Sequence, residues 1–281
     1  MEFRTISGGR DRHVISQAGE GPDIVLLHGF PDTPYSWSEL EAALLAAGWR
    51  VTVAWLRGYH PETIVADRPY DPETIGRDGL ALLDAIQAPR AVLVGHDWGA
   101  LIAYVAATLE PERVRAIVTM GIPHPSLLSR TPASLWAGRH FLGLKLPGAA
   151  SRCRRNDFAY LGELYSRWAP AWSGPERDES LARAKQALSS PATLDGALGY
   201  YRDLPLAPAA VLGEVPAVRG LIVGGTVDLI DAELFTRTAA MLPEPSRALI
   251  VDGAGHWPHR EQPDAVLPVL LSFLAELEAQ Q

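Results

Sequence analysis

The stretch RAVLVGHDWGALIAYVAA, residues 90–107, constrains the fold more than any other part of the sequence. A short apolar run ends at Gly95, turns through a His-Asp-Trp sequence and continues after Gly99 as an alanine-rich helical pattern. Glycine stands at both places where a side chain would collide with neighbouring backbone in a tight strand-to-helix turn. Such a turn lifts its middle side chain, Asp97, above a sheet and beside a helix N-terminus, where free N–H groups favour an anion.

Asp97 therefore occupies the nucleophile position of the turn. The simpler alternative is that Asp97 only caps the helix, which would be worth about 1 kcal/mol, but a cap alone would not require the flanking glycines. Serine in this position would attack an acyl carbon, whereas a carboxylate displaces a leaving group at an sp³ carbon and forms an alkyl ester on the enzyme. The ester must then be hydrolysed, so the sequence predicts a second step that needs a base and a water.

Composition excludes several classes of partner. The chain has 281 residues, a formal net charge of −8 and a hydrophobic fraction of 47%, enough for the core of one large domain. An acidic chain lacks the basic footprint of nucleic-acid binding and the polybasic surface that attracts anionic lipid. The N-terminus lacks the apolar core of a signal peptide, and no segment reaches the roughly 20 apolar residues that span a bilayer. We expect a soluble, cytoplasmic monomer or homodimer with small, uncharged partners.

Cys153 is the single cysteine, so it cannot form an internal disulfide. We expect it to be an ordinary surface thiol, although the neighbouring arginines could lower its pKa. No Cys/His cluster has the spacing of a zinc site, so no metal and no other cofactor is expected.

Strand and helix patterns alternate along the first 122 residues. Short apolar runs bounded by Gly or Pro indicate buried parallel strands; they read DIVLLHG, WRVTVAWL, RAVLVG, VRAIVTMG, RGLIVGG and RALIVDG. Gly48 is typical of a helix C-terminus, and Asp71 followed by Pro72 is typical of a helix N-terminus. This alternation predicts an α/β fold with a mostly parallel, doubly wound sheet and right-handed crossovers.

The alternation is interrupted in the middle of the chain. Residues 123–215 contain no clear strand and are rich in Pro, Trp, Arg and Tyr. Helical patterns cover about 157–168, 176–188 and 191–204, and strands resume only at Arg219. The sequence therefore predicts a core built from 1–122 and 216–281, with 123–215 inserted as a helical lid.

Two further residues complete a catalytic set with Asp97. His256 directly follows the last predicted strand and suits the role of base, because the unperturbed pKa of histidine is near neutrality. Asp228 follows the preceding strand and would hold the other imidazole nitrogen. The alternatives are His259 as the base and Asp231 or Asp252 as the acid.

These motifs resemble the α/β-hydrolase family, and within it the epoxide hydrolase and haloalkane dehalogenase branch, whose elbow reads G-x-D-W-G. HGFPDTPYSW at 28–37 resembles the H-G-x-P oxyanion loop, and GAGHWPHREQP at 253–263 resembles the catalytic histidine loop. The resemblance implies an oxyanion hole made by the backbone N–H groups of Phe30 and Trp98, which would also contact substrate. It implies that His28 organises its loop and that His96 is structural.

The two branches differ in how they stabilise the leaving group. Many dehalogenases hold the halide with the residue after the nucleophile and either an Asn in H-G-N-P or a lid tryptophan. This sequence has Phe30 at the Asn position, so a dehalogenase would depend on a lid tryptophan; the candidates are Trp136, Trp168 and Trp172.

Epoxide hydrolases usually protonate the opened ring with two lid tyrosines. GALGYYRDL at 196–204 resembles the family's N-W-Y-R motif. Tyr201 takes the position of the motif's tyrosine and would be the donor. Tyr200 takes the position of the motif's tryptophan and would contact substrate. Adjacent helical residues point about 100° apart, so only one of the two faces the cavity. HFLGLKLPG places His140 on the first tyrosine of the motif Y-x-x-x-F-Q-x-P-G. Otherwise His140 faces solvent, and the second donor is Tyr165 or Tyr160.

The resemblance thus implies an epoxide hydrolase that forms a vicinal diol through an ester on Asp97. The apolar lid suggests a lipophilic or aromatic epoxide. Two alternatives remain open: a haloalkane dehalogenase with the same nucleophile, and a binding protein of the same fold that has lost turnover.

Overall fold

The computed structural model describes residues 1–9, 11–128, 136, 138–205 and 209–279. Eight strands form one sheet in the order β1-β2-β4-β3-β5-β6-β7-β8. The first two strands pair antiparallel with each other, β2 pairs antiparallel with β4, and all later pairs are parallel. The strands are β1 (Arg4–Gly8), β2 (Asp11–Ala18), β3 (Asp23–Leu27), β4 (Arg50–Ala54), β5 (Ala91–His96), β6 (Val114–Met120), β7 (Gly220–Gly225) and β8 (Arg247–Val251).

All six predicted strands are present, and the sequence analysis missed β1 and β2. These two strands form a hairpin at one edge of the sheet, and both contain exposed positions. They lack the continuous apolar run that identifies a strand buried on both faces.

The α-helices cover both faces of the sheet. They are α1 (Ser38–Ala46), α2 (Pro72–Ala85), α3 (Trp98–Leu109), α4 (Arg139–Lys145), α5 (Ala149–Trp168), α6 (Pro175–Ala187), α7 (Pro191–Asp203), α8 (Ala232–Met241), α9 (Pro258–Glu261) and α10 (Pro263–Glu278). Short 3₁₀ turns occupy Pro34–Trp37, Pro61–Thr63, Pro125–Leu127 and Ala210–Leu212. As predicted, α2 begins at an Asp71 cap, whose carboxylate accepts from the backbone N–H of Thr74.

The sheet separates two apolar cores. Successive side chains of a strand point to opposite faces. In β3, Ile24 and Leu26 therefore enter the core beneath α1 and α10, while Val25 and Leu27 enter the core beneath α2 and α3. The first three helices of the core and α10 thus fix the sheet from both sides.

The described residues of 123–215 form helices and 3₁₀ turns and contribute no strand to the sheet. Helices α5, α6 and α7 correspond to the three predicted helical stretches, whereas α4 was not predicted. Residues 129–135, 137 and 206–208 of the predicted lid lie outside the described residues. Helix α5 is bent within its length, because Asn156, Asp157 and Phe158 adopt left-handed backbone angles.

Helix α7 is docked closely on the core. Gly58, in the loop after β4, packs against Gly196 of α7 so tightly that a Cβ at Gly196 would lie 2.6 Å from the Gly58 carbonyl oxygen. The Asp203 carboxylate at the end of α7 accepts from the backbone N–H of Tyr70. Lys145 of α4 donates to the backbone carbonyls of Tyr201 and two later residues. The helix that carries Tyr201 is therefore held near its middle and at its C-terminal end.

The prediction that Cys153 is a surface thiol is wrong. Its side chain is fully buried in α5, and burial raises its pKa to about 11. A thiol in apolar surroundings is inert because its charged form is disfavoured.

None of the described helices is both long enough and apolar enough to cross a membrane.

Candidate active site

Asp97 lies in a strained turn between β5 and α3. Its backbone angles are φ 52° and ψ −116°, a conformation that non-glycine residues adopt rarely. A Cβ at Gly95 would lie 2.1 Å from the carbonyl oxygen of Gly99, and one at Gly99 would lie 2.0 Å from that of Leu27. Both glycines are therefore required for the turn, as the sequence pattern predicts.

The Asp97 carboxylate does not cap α3, because its side chain accepts no hydrogen bond from the helix. Instead Oδ1 accepts from the backbone N–H of Phe30 at 2.8 Å. Burial would raise the pKa of Asp97, but the hydrogen bond and charge of His256 outweigh burial and lower it. Asp97 is thus an ionised, buried carboxylate in the nucleophile position.

His256 lies between two carboxylates. Its Nε2 is 3.5 Å from Oδ2 of Asp97, and its Nδ1 is 3.0 Å from Oδ2 of Asp228. Burial alone would lower the pKa of His256, but Asp228 and then Asp97 raise it to about 10. The backbone N–H of His256 also donates to the carbonyl of Trp168 at 2.9 Å, which ties the histidine loop to the lid.

The topology brings this set together. Asp97 follows β5, Asp228 follows β7 and His256 follows β8, and these strands run parallel with only β6 between β5 and β7. Loops at the carboxyl ends of parallel strands meet at one edge of the sheet, where ligands bind in open α/β folds.

The alternative triad members have other partners. Nε2 of His259 is 2.9 Å from the Ser36 hydroxyl, and its ring stacks on Trp37. Asp231 accepts from the backbone at the start of α8, and Asp252 accepts from the Thr226 hydroxyl at 3.1 Å. The geometry therefore favours His256 and Asp228.

His28 is held within its loop. Its Nδ1 lies 2.9 Å from the Gly29 carbonyl and its Nε2 accepts from the backbone N–H of Leu56 at 3.2 Å. The carbonyl requires the proton on Nδ1, so the ring is a neutral tautomer with both nitrogens occupied. Burial lowers its pKa to about 4, which agrees with an organising role for His28.

A buried polar layer lies behind the triad. His96 Nε2 is 2.9 Å from the backbone carbonyl of His256, and its Nδ1 is 3.7 Å from Oδ2 of Asp32. Asp32 also accepts from the indole N–H of Trp257. Burial lowers the pKa of His96 to about 3 and raises that of Asp32 to about 7. Sequence analysis missed Asp32, although it directly follows the residues HGFP.

Tyr201 faces the nucleophile, whereas Tyr200 is tied to the core. The Tyr201 ring is 5.2 Å from Phe30 and 5.0 Å from Trp98, and it is fully buried. Burial and the charge of Asp97 raise its pKa well above the ordinary value. The Tyr200 hydroxyl donates to the backbone carbonyl of Arg57 at 3.0 Å. The Tyr200 ring lies 5.4 Å from that of Trp98. Because the hydroxyl is bound to the core, any contact of Tyr200 with substrate is made by its ring.

His140 lies on the His256 side of the site. Its ring is 4.7 Å from Trp168, whose ring is 5.1 Å from His256. The side chain is half-buried and does not project into solvent. Phe141 was not predicted as a site residue. Its ring centroid lies 5.3 Å from that of Tyr201, so it belongs to the group of aromatic side chains around Asp97.

The other lid aromatics were candidates for the second proton donor or for a halide-binding tryptophan, and the structure places them differently. The Tyr165 hydroxyl donates to the Pro31 carbonyl at 3.0 Å, which leaves it a poor second donor. Tyr160 is half-buried on α5, and Trp136 is 70% exposed. Trp172 packs 5.8 Å from Trp257. Among the dehalogenase candidates, Trp168 alone borders His256.

Within the described ranges, no group of His, Cys, Asp and Glu could hold a metal ion.

Comparison with known proteins agrees with this architecture. The family model described as alpha/beta hydrolase fold matches residues 22–263. Epoxide hydrolase A of Mycobacterium tuberculosis is 31% identical over 94% of this chain and 94% of its own length. An epoxide hydrolase of Caballeronia sordidicola is 30% identical over 99% and 94%. The crystal structure of epoxide hydrolase A from Mycobacterium thermoresistibile superposes with a TM-score of 0.79 at 27% identity, covering 98% of both chains. The chain therefore belongs to the α/β-hydrolase fold family and is epoxide hydrolase-like.

Proposed function

We propose that the protein hydrolyses an epoxide to a vicinal diol through a covalent alkyl ester on Asp97. The observation that carries the proposal is the ionised Asp97 carboxylate 3.5 Å from His256, which is itself bound to Asp228. The relatives named epoxide hydrolase support the substrate class. The rings of Phe30, Trp98, Phe141 and Tyr201 form an aromatic wall around Asp97. This aromatic wall fits a lipophilic or aromatic epoxide.

In the first step Asp97 opens the ring. Oδ1 is bound by the Phe30 N–H, so Oδ2 attacks the epoxide carbon. The carbon–oxygen bond of the ring breaks, its electron pair stays on oxygen, and Tyr201 donates a proton to that oxygen, with His140 as the second donor. General acid catalysis of this kind typically contributes about 10²–10⁴-fold.

In the second step His256 activates water. Ester formation removes the negative charge of Asp97, one of the causes that raise the pKa of His256. The imidazolium can then release its proton, which restores the tyrosine. Neutral His256 takes a proton from water as the water attacks the ester carbonyl. The N–H groups of Phe30 and Trp98 stabilise the oxyanion, and collapse releases the diol with Asp97 ionised and His256 protonated again.

The test is diol formation from a panel of small epoxides. We expect turnover by the unaltered protein and its loss in Asp97→Ala, while Asp252→Ala, altered in a neighbouring loop, retains it. Turnover that survives Asp97→Ala would contradict the mechanism. Halide release from haloalkanes would indicate a dehalogenase, and binding without product would indicate a non-catalytic protein.

A further inference from the structure

Helices α4 and α5 of the lid pack antiparallel. Near the start of α4, His140 contacts Trp168 at the end of α5, with ring centroids 4.7 Å apart. Further along α4, a Cβ on Gly143 would lie 3.3 Å from the hydroxyl of Tyr160, two turns earlier in α5. This register brings the residues that precede His140 and Trp168 to the same end of the helix pair.

Those two residues are Arg139 and Arg167, and among the described residues neither forms a salt bridge with a carboxylate. The buried Nε and Nη2 atoms of Arg167 have no hydrogen-bond partner among the described residues. Arg139 donates to the Trp136 carbonyl, and its guanidinium lies 4.6 Å from the Trp136 ring. Burial and then the charge of Arg139 lower the pKa of Arg167, which is the expected effect of an adjacent like charge.

The sequence before and into this helix pair is rich in basic residues and lacks acidic ones. Residues 113–156 contain eight Lys and Arg and no Asp or Glu, in a chain whose net charge is −8. Glu163, one turn before Arg167, is exposed, and its charge opposes the lowering of the Arg167 pKa only as the smallest of the causes, after burial and the charge of Arg139. The arginine pair is therefore a local positive site on an acidic protein.

The pair lies next to the proposed chemistry. Arg167 directly precedes Trp168, whose ring is 5.1 Å from that of His256, and Arg139 directly precedes His140. Because adjacent helical residues point about 100° apart, the two arginines flank the His140–Trp168 contact rather than face His256. Both arginines are half-buried, so an incoming anion would be partly desolvated. Guanidinium groups bind carboxylates through paired, charge-assisted hydrogen bonds.

We propose that Arg139 and Arg167 bind the carboxylate of the substrate, which makes the preferred substrate an epoxide of a carboxylic acid. This inference rests on the proposed epoxide hydrolysis and replaces the uncharged partner expected from overall composition. The bound carboxylate would anchor one end of the molecule while its apolar chain reaches the aromatic wall near Asp97.

The test compares epoxy carboxylic acids with their primary amides at several chain lengths. We expect the unaltered protein to prefer the acid in kcat/KM by about tenfold or more at one chain length. Arg167→Gln and Arg139→Gln should bring the acid-to-amide ratio close to one, and Arg167→Lys should keep part of the preference. Arg154→Gln, which removes an exposed charge elsewhere on α5, should leave the ratio unchanged.

Three results would overturn the inference. The first two are an unaltered protein with no preference for the acid and an equal loss of preference in Arg154→Gln. Binding of inorganic phosphate without any preference for epoxy acids would indicate a site for free anions and would also overturn it. If neither acids nor amides react, the proposed function fails. Calorimetric binding of an unreactive alkyl carboxylate to the unaltered protein and to Arg167→Gln then still tests the arginine site.

Discussion

Nε2 of His256 lies 3.5 Å from Oδ2 of Asp97, while Nδ1 of the same ring lies 3.0 Å from Oδ2 of Asp228. An imidazole between two buried carboxylates holds its proton, and the pKa of His256 is raised to about 10. A protonated histidine cannot act as a base. In the proposed mechanism, forming the ester on Asp97 removes one of the two charges, so the first chemical step would itself prepare the base for the second.

Asp228→Asn should slow hydrolysis of the ester much more than its formation. The substitution removes the carboxylate that orients the ring and stabilises its charged form. We expect a loss of about 100-fold or more in the hydrolytic step, since the corresponding change in a serine protease triad costs about 10⁴-fold. Single-turnover kinetics separate the two steps. Equal loss in both would contradict this role, and Asp252→Asn serves as the control, because Asp252 contacts Thr226 and not His256.

The charged contacts of His256 with Asp228 and with Asp97 should also affect stability with a defined pH dependence. The pKa of His256 is raised from 6.5 to about 10, so folding favours its protonated form. This contribution to the free energy of unfolding is complete below about pH 6.5 and is lost as pH rises through about 10. The stability difference between the unaltered protein and His256→Gln should therefore shrink over that range. A difference that grows with pH in chemical denaturation would contradict the assigned charge state.

The parts of the fold that sequence predicted are those with strong local signals. Six strands have continuous apolar runs, although β8 at the sheet edge is only half-buried, and the Asp97 turn has two glycines that sterics require. The β1–β2 hairpin was missed because its strands carry exposed polar positions, and α4 is too short to give a clear periodicity. Cys153 was misplaced because no lid helix was predicted before residue 157, whereas the helix that contains it turns the thiol inward.

Site residues that depend on long-range packing could not be predicted in the same way. Asp32 meets His96 only because the loops after β3 and β5 come together. The pairing of Arg139 with Arg167 depends on the antiparallel register of two lid helices. By contrast, helical geometry predicted that only one of Tyr200 and Tyr201 faces the cavity, and the resemblance to the N-W-Y-R motif favoured Tyr201.

Tyr201→Phe should slow ring opening, whereas Tyr200→Phe should not. The first substitution removes the proton donor beside Asp97, and we expect a loss of about 10²-fold or more in ester formation. Tyr200→Phe removes a hydrogen bond to the Arg57 carbonyl and should cost about 1 kcal/mol of stability. Rapid-quench measurement of the ester and chemical denaturation distinguish the two effects. The reverse pattern would mean that Tyr200 is the donor.

Gly99→Ala should destabilise the protein more than Gly48→Ala. A Cβ at Gly99 would lie 2.0 Å from the Leu27 carbonyl oxygen, so the backbone of β3 or the turn would have to move. We expect a cost of about 2–4 kcal/mol, with loss of activity. Gly48 has a φ of +85° and no atom within 4 Å of an added Cβ, so its substitution carries only the backbone strain, about 1 kcal/mol. Equal unfolding midpoints for the two variants would contradict the steric requirement at the turn.

The most direct test of the covalent mechanism is intact-mass spectrometry of His256→Ala after incubation with the reactive epoxides. Without the base, the ester on Asp97 should persist, and the protein mass should increase by the mass of one whole epoxide. The double variant with Asp97→Asn should show no increase. An increase equal to a haloalkane minus hydrogen halide, from a haloalkane panel, would assign dehalogenation instead. If the unaltered protein turns over an epoxide while His256→Ala forms no adduct with it, Asp97 is not a covalent nucleophile and the central claim is wrong.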